Sequence, residues 1–215
     1  MKPNKYIIFI ARKFWFWFWM KLMDGFAPSD KNGNYIRPNG FSYKELPQIN
    51  INENKNLYLL VGSTCPWCHR LIITYTLLNL SNKIKIIFLK PNYKTGEWIF
   101  ENDFYNCKCL EEVYKKCCQP KIFRATLPVF INYIDGEIKL ISNESRDIIK
   151  ILNSKSFNLS SDSELINDCD EKLLDLINED INNGVYKCGF ARNQNAYIKA
   201  SQKLFSGLTT IEKLL

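Results

Sequence analysis

The residues best suited to chemistry are Cys65 and Cys68, in the stretch Ser63-Thr64-Cys65-Pro66-Trp67-Cys68-His69-Arg70. Two cysteines with two residues between them can form a dithiol redox pair, supply half of a zinc site, or present one nucleophile beside a bystander. A zinc site needs two further ligands of matching geometry. His69 is the only histidine, and neither Cys107-Lys108-Cys109 nor Cys117-Cys118 has the usual paired spacing. Pro66 suits the first position of a helix, which puts Cys65 at the helix N-terminus. There, unpaired backbone N–H groups and the positive end of the helix dipole stabilise a thiolate. Cys68 lies about one turn further along, where a resolving thiol would sit. A reactive thiol is favoured over both zinc and two inertly packed cysteines.

The elements that must position this thiol can be read on either side of it. Leu57 to Val61 is a short buried strand, Pro66 to about Asn79 has helical apolar spacing, and Ile84 to Leu89 is a second strand. A βαβ unit in this order has parallel strands and a right-handed crossover. Residues 90–123 form an irregular, cysteine-bearing insert with a helix around Leu110 to Lys116. "TLPVFINYIDGEIKLI" then gives two strands joined at Asp135-Gly136, and "SNESRDIIKILN" opens with capping residues and continues as an amphipathic helix. This order predicts an α/β thioredoxin-like domain over residues 55–153. Residues 154–162 are a polar linker, and 163–215 carry the pattern of an all-α domain. Residues 1–54 hold an aromatic helix followed by an extended arm lying over the next domain.

Two further features fit this frame. Pro128, at the start of a strand, stands where a thioredoxin-like fold holds a cis-proline facing the active cysteine, with Leu127 pairing its backbone with a bound peptide. An ordinary trans proline at a strand edge is the alternative. Glu144 and Ser145 fall at a helix start, where backbone N–H groups bind a carboxylate and Glu144 takes an amine, as at the α-amino-acid end of glutathione. A plain helix cap is the alternative.

Composition narrows the function classes. With 46% hydrophobic and 14% aromatic residues in 215, the chain is a folded protein. Its net charge of +7 favours anionic partners. No basic block, zinc-finger spacing or nucleic-acid motif is present, which argues against nucleic acid. Of the eight cysteines six cluster while Cys169 and Cys188 stand alone, unlike a disulfide scaffold, which points to a reducing, cytoplasmic setting. In "YIIFIARKFWFWFWMKLM", Arg12 and Lys13 split the apolar run below the length of a membrane span, and no small-residue cleavage site follows. The reading preferred from sequence is a helix packing its aromatic face on the domain, together with a partner chain in one version. The alternative is weak membrane-surface contact.

"CPWCHR", "GEWIF", "RATLPVF", "SNESRDIIKILN" and "INNGVYKCGFA" together resemble the glutathionyl-hydroquinone reductases, the Xi class of glutathione transferases. "MDGFAPSDKNGNYIRP" looks like the arm of the photosynthetic-bacterial branch. The similarity runs in order along nearly the whole chain. It implies a thioredoxin-like domain joined to an all-helical glutathione-transferase C-terminal domain, often a homodimer, with glutathione as co-substrate. It also implies removal of glutathione from glutathionyl-hydroquinones, so that an aromatic or quinone-derived small molecule is the second partner. By motif, Cys65 is the implied nucleophile and Trp98 packs over glutathione. Leu127, with Pro128, pairs with the glutathione backbone, and Glu144 and Ser145 hold its γ-glutamyl end. Cys68 stands where the family usually has alanine. The chain ends at Leu215, inside the helical domain, so the acceptor pocket is expected to be cut down, with Tyr186 as a candidate wall. Two other functions compete: a glutaredoxin-like dithiol oxidoreductase using Cys65 and Cys68, and a non-catalytic membrane- or partner-binding derivative.

Overall fold

A computed structural model describes residues 4–38, 56–117, 125–154 and 171–215. The chain divides into two compact units, one of Gly40–Asn167 and one of Met1–Asn39 with Asp168–Leu215. Parts of the arm (39–54), of the insert (118–123), of the linker (155–162) and of the first C-terminal helical pattern (163–170) lie outside the described residues.

The first unit is built on a mixed six-stranded sheet. β1 (Leu57–Gly62) is buried at every position, because it lies inside the sheet and is covered on both faces. After it come α2 (Pro66–Leu77) and β2 (Ile84–Pro91), and β2 pairs parallel to β1 with Leu57 opposite Ile84 and Gly62 opposite Leu89. β5 (Val129–Ile134) runs antiparallel along the other side of β1, and β6 (Glu137–Ser142) returns beside β5. The turn between them places Asp135 and Gly136 at positive φ, the left-handed pair a two-residue hairpin requires. α4 (Ser145–Asn153) buries Ile148, Ile151 and Leu152 and packs beside α2, which buries Cys68, Leu71 and Thr74 at helical spacing. The thioredoxin-like fold read from the sequence is therefore present.

The insert is more regular than its sequence suggests. β3 (Trp98–Phe104) and β4 (Cys107–Cys109) extend the sheet, giving the order β4-β3-β2-β1-β5-β6, before α3 (Leu110–Cys117). Phe100 and Phe104 are buried and stack at 5.1 Å, while the residues between them are exposed and polar. A strand next to the sheet edge with so little apolar alternation leaves a weak signal.

The second unit consists of α1 (Lys5–Phe26), the described part of the arm, α5 (Glu171–Leu176), a π-helical turn (Ile177–Asn182), α6 (Gly184–Gly189) and α7 (Gln194–Glu212). The arm turns back on itself through a Ser29–Tyr35 bridge and an Asp30 carboxylate that accepts from Asn32 and Asn34. It is tied to the start of α7: the Arg192 N–H donates to the Gly33 carbonyl at 2.9 Å, and Arg192 Nη2 donates to the Ala27 carbonyl at 2.9 Å. The described arm thus belongs to the helical unit. The expectation that α1 packs its aromatic face on the chain's own domain is corrected, since α1 contains no buried residue. Phe14, Trp15, Phe16, Trp17, Phe18 and Trp19 are all exposed.

Candidate functional site

Cys65 is the N-cap of α2, in extended conformation, and its carbonyl accepts from the N–H groups of Cys68 (3.0 Å) and His69 (3.1 Å). The Cys65 side chain makes no cap hydrogen bond, and the first N–H groups of the helix point towards negative charge placed at this end. The Cys65 side chain is half-buried, and its Sγ lies 3.6 Å from the Leu127 carbonyl. Cys68 is fully buried one turn below, and its Sγ accepts from the Gly62 N–H at 3.4 Å. A hydrogen bond with Cys65, and secondly burial, push the Cys68 thiol well above its ordinary range. The Cys68 thiol therefore keeps its proton and can donate a hydrogen bond to the Cys65 sulfur.

Gly62, the last residue of β1, explains how the other candidates reach this thiol. A Cβ there would lie 2.6 Å from the Trp98 ring and 3.0 Å from the Leu127 side chain. The missing side chain lets the indole and Leu127 close over the end of β1, one short turn from Cys65. The Cys65 N–H donates to the Gly62 carbonyl across that turn at 3.1 Å. Trp98 itself is half-buried at the start of β3, opposite Pro91. The Leu127–Pro128 peptide is cis, and Val129 begins β5 directly after it.

Glu144 and Ser145 sit at the head of α4. The capping read from "SNES" takes a different form, because the N-cap is Glu144 and makes no side-chain cap bond. Instead, the Glu144 N–H donates to Ser142 Oγ at 3.1 Å. Ser145 is buried, and its hydroxyl accepts from Arg70 through both Nε (3.1 Å) and Nη2. Arg70 lies on α2, where its guanidinium also stacks over Trp67 at 5.0 Å. The side chains of "CPWCHR" therefore tie the cysteine helix to the head of α4.

Reasoning from sequence missed three of these contributors. Arg70 was legible in principle, lying three residues after Trp67 and so on the same face of α2. Gly62 carried no signal beyond ending an apolar run. Tyr114, buried on α3, donates its hydroxyl proton to the Thr126 carbonyl (2.9 Å) and accepts from the Asn143 amide (2.9 Å). It links the segment before Pro128 to the segment before Ser145, a long-range bond that no local pattern announces. Tyr186 belongs to the other unit, on α6, where it stacks with Phe190 (6.4 Å) beneath the Arg37 guanidinium (5.8 Å). Among the described residues, no group of three or more His, Cys, Asp or Glu side chains is placed to hold a metal ion.

Comparison with known proteins adds an independent line. Residues 64–155 match the family model of the glutathione S-transferase N-terminal domain. The glutathionyl-hydroquinone reductase YqjG of Escherichia coli strain K12 is 31% identical over 179 residues, covering 77% of this chain and 54% of that protein. The omega-like glutathione S-transferase 2 of Schizosaccharomyces pombe is 31% identical over 185 residues, covering 76% of this chain and 56% of its own. Among solved structures, the glutathione S-transferase Xi of Phanerochaete chrysosporium superposes with a TM-score of 0.73 at 25% identity, over 86% of this chain and 65% of that one. The glutathione-bound structure of YqjG gives 0.62 at 28% identity, over 75% and 56%. The chain spans about half the length of the curated relatives it matches.

Proposed function

Since this chain belongs to the Xi-class glutathione transferase family, that of the glutathionyl-hydroquinone reductases, we propose that it is a glutathione-dependent reductase that removes glutathione from an aromatic, quinone-derived thioether through Cys65. The observation that carries this reading is the position of Cys65 at the N-terminus of α2, with the buried Cys68 thiol one turn below it. The Cys65 thiolate attacks the thioether sulfur, the carbon–sulfur bond breaks, and the aromatic carbon takes a proton as the hydroquinone leaves. A second glutathione thiolate then attacks the mixed disulfide, releasing oxidised glutathione and returning Cys65 as a thiolate. The carbon is reduced, and the two glutathione sulfurs are oxidised to a disulfide.

Each remaining residue has a place in this scheme. The Trp98 ring covers bound glutathione, and the backbone of Leu127, before Pro128, pairs with its peptide. The γ-glutamyl end sits at the head of α4, with Glu144 on the amine and Ser145 on the carboxylate. Arg70 orients the Ser145 hydroxyl and adds positive charge next to that carboxylate. Tyr186 is among the rings proposed to recognise the acceptor. A homodimer, to be checked by sedimentation of the purified chain, and a reducing, cytoplasmic setting are part of the same proposal.

Release of hydroquinone from a glutathionyl-hydroquinone, followed by chromatography, tests the reading. Turnover that disappears in Cys65→Ser supports it, and turnover that survives contradicts it. The hydrogen bond between Cys68 and Cys65 favours a second reading, in which the pair cycles as a dithiol. Cys68→Ser separates the two: unchanged deglutathionylation keeps Cys65 as the sole essential thiol, whereas lost turnover makes Cys68 the resolving one.

A further inference from the structure

α1 is unusual for a helix on the outside of a protein. Ile7, Ala11, Phe14, Trp15, Phe18 and Leu22 recur at i, i+4, i+7 and i+8 spacing and form one long side without a charge. Trp15 is 66% exposed and Phe14 65%. The opposite side is the one that touches the rest of its unit. There Met20 and Met23 are half-buried and Ala27 is buried. Arg192 reaches Met20 Sδ and the Asp24 carboxylate, both at 3.4 Å. The apolar side therefore faces away from the contacts that hold the helix.

The charges on α1 have one dominant sign. Lys5, Arg12, Lys13 and Lys21 oppose the single acid Asp24, which is already engaged by Arg192. Arg12 and Lys21 border the apolar side along its two edges, and Lys13 lies over the Phe9 ring at 4.7 Å. On the other side of the N-terminal half of α1, a shallow surface lined by Phe9, Arg12, Lys13, Phe16 and Trp17 also mixes basic and aromatic groups. Although it has 22 residues, α1 is not apolar enough to cross a membrane. Tryptophan and phenylalanine flanked by long basic side chains suit the headgroup boundary, where the rings enter the acyl region and the cations reach lipid phosphate. The basic excess of the whole chain points the same way.

We infer that α1 is a peripheral anchor for an anionic phospholipid bilayer, lying in its surface with the Ile7, Phe14, Trp15, Phe18 and Leu22 side immersed. The anchor is independent of the glutathione reading, since no residue of the candidate site takes part. A second copy of the chain is the competing occupant, but apolar sides bordered by like charge on both edges repel one another when they pair.

The test is sedimentation of the full chain with vesicles of phosphatidylcholine mixed with phosphatidylglycerol, and with phosphatidylcholine alone. The expected result is pelleting with the mixed vesicles, a blue shift of tryptophan emission, and release as salt is raised. Arg12→Gln combined with Lys13→Gln is expected to weaken partitioning about thirtyfold, at roughly 1 kcal/mol per basic residue near the surface. Trp15→Glu combined with Phe18→Glu is expected to abolish it, with circular dichroism unchanged from wild type. The salt titration of the wild-type chain keeps the test valid if either variant loses its helix. A wild-type chain that stays in the supernatant at low salt overturns the inference. So does a solution dimer that Trp15→Glu dissolves while anionic vesicles bind nothing.

Discussion

The two units of this chain treat their apolar residues in opposite ways. In the sheet unit they are buried: β1 is closed on both faces, and Phe130, Ile131, Ile148 and Leu152 are inaccessible. In the helical unit, Ala27, Tyr35 and Ala196 are the only buried apolar residues among those described, while Phe14, Trp15, Phe205 and Leu208 face solvent. The difference corresponds to two kinds of task. Placing a thiol within hydrogen-bonding reach of a carbonyl needs a scaffold whose side chains have one arrangement. Meeting a bilayer, or any large apolar partner, needs surface that has not been spent on a core.

If stability resides in the sheet unit, truncations should be felt there. Phe130→Ala empties a fully buried site at the centre of the sheet and is expected to cost about 3–5 kcal/mol in denaturant unfolding. Phe205→Ala, on the exposed side of α7, is expected to stay within about 0.5 kcal/mol. Equal losses would break the contrast. Gly62→Ala comes next: its Cβ would meet the Trp98 ring at 2.6 Å. It is expected to cost about 1–3 kcal/mol through forced repacking, and to weaken glutathione binding measured by calorimetry. Stability and affinity both at wild-type levels would show that Trp98 does not need that space.

Smaller effects sharpen the same contrast at single atoms. Tyr114→Phe removes the bonds to Thr126 and Asn143 and is expected to cost about 1 kcal/mol. It should also raise KM for glutathione, because both backbone segments proposed to hold glutathione lose a shared tether. A stability loss with KM unchanged would assign Tyr114 to packing alone. The smallest effect concerns pH. The folded chain keeps the Cys68 proton above the ordinary thiol value of 9.0, first through the hydrogen bond with Cys65 and then through burial. Above that value the unfolded chain releases a proton that the folded chain retains, so stability falls as pH rises past 9.0. Thermal melting of wild type is expected to drop more steeply there than that of Cys68→Ala, and parallel curves would contradict the assignment.

The sheet unit was also the more legible in sequence, for the same physical reason. Buried strands leave runs such as Leu57 to Val61, the Asp135-Gly136 turn needs residues that accept positive φ, and Pro66 marks where α2 starts. What escaped notice depends on partners distant in sequence. β3 shows no clear alternation because it pairs with β2 only at Ile99 opposite Lys90 and Trp98 opposite Pro91. Tyr114 looks like any core tyrosine until Asn143 and Thr126 are beside it. "FWFWFW" suggested a core stripe because aromatic residues at helical spacing usually face one. Sequence alone does not say that Met20, Met23 and Ala27 make the contact and leave the rings outside.

The central claim is that Cys65 is the thiol that carries glutathione. The most direct measurement is the intact mass of the reduced protein after brief exposure to oxidised glutathione, with Cys65→Ser and Cys68→Ser in parallel. The account predicts one glutathione adduct on the wild type and on Cys68→Ser, and none on Cys65→Ser. An adduct that persists in Cys65→Ser, or no adduct on Cys65 in any form, would contradict it.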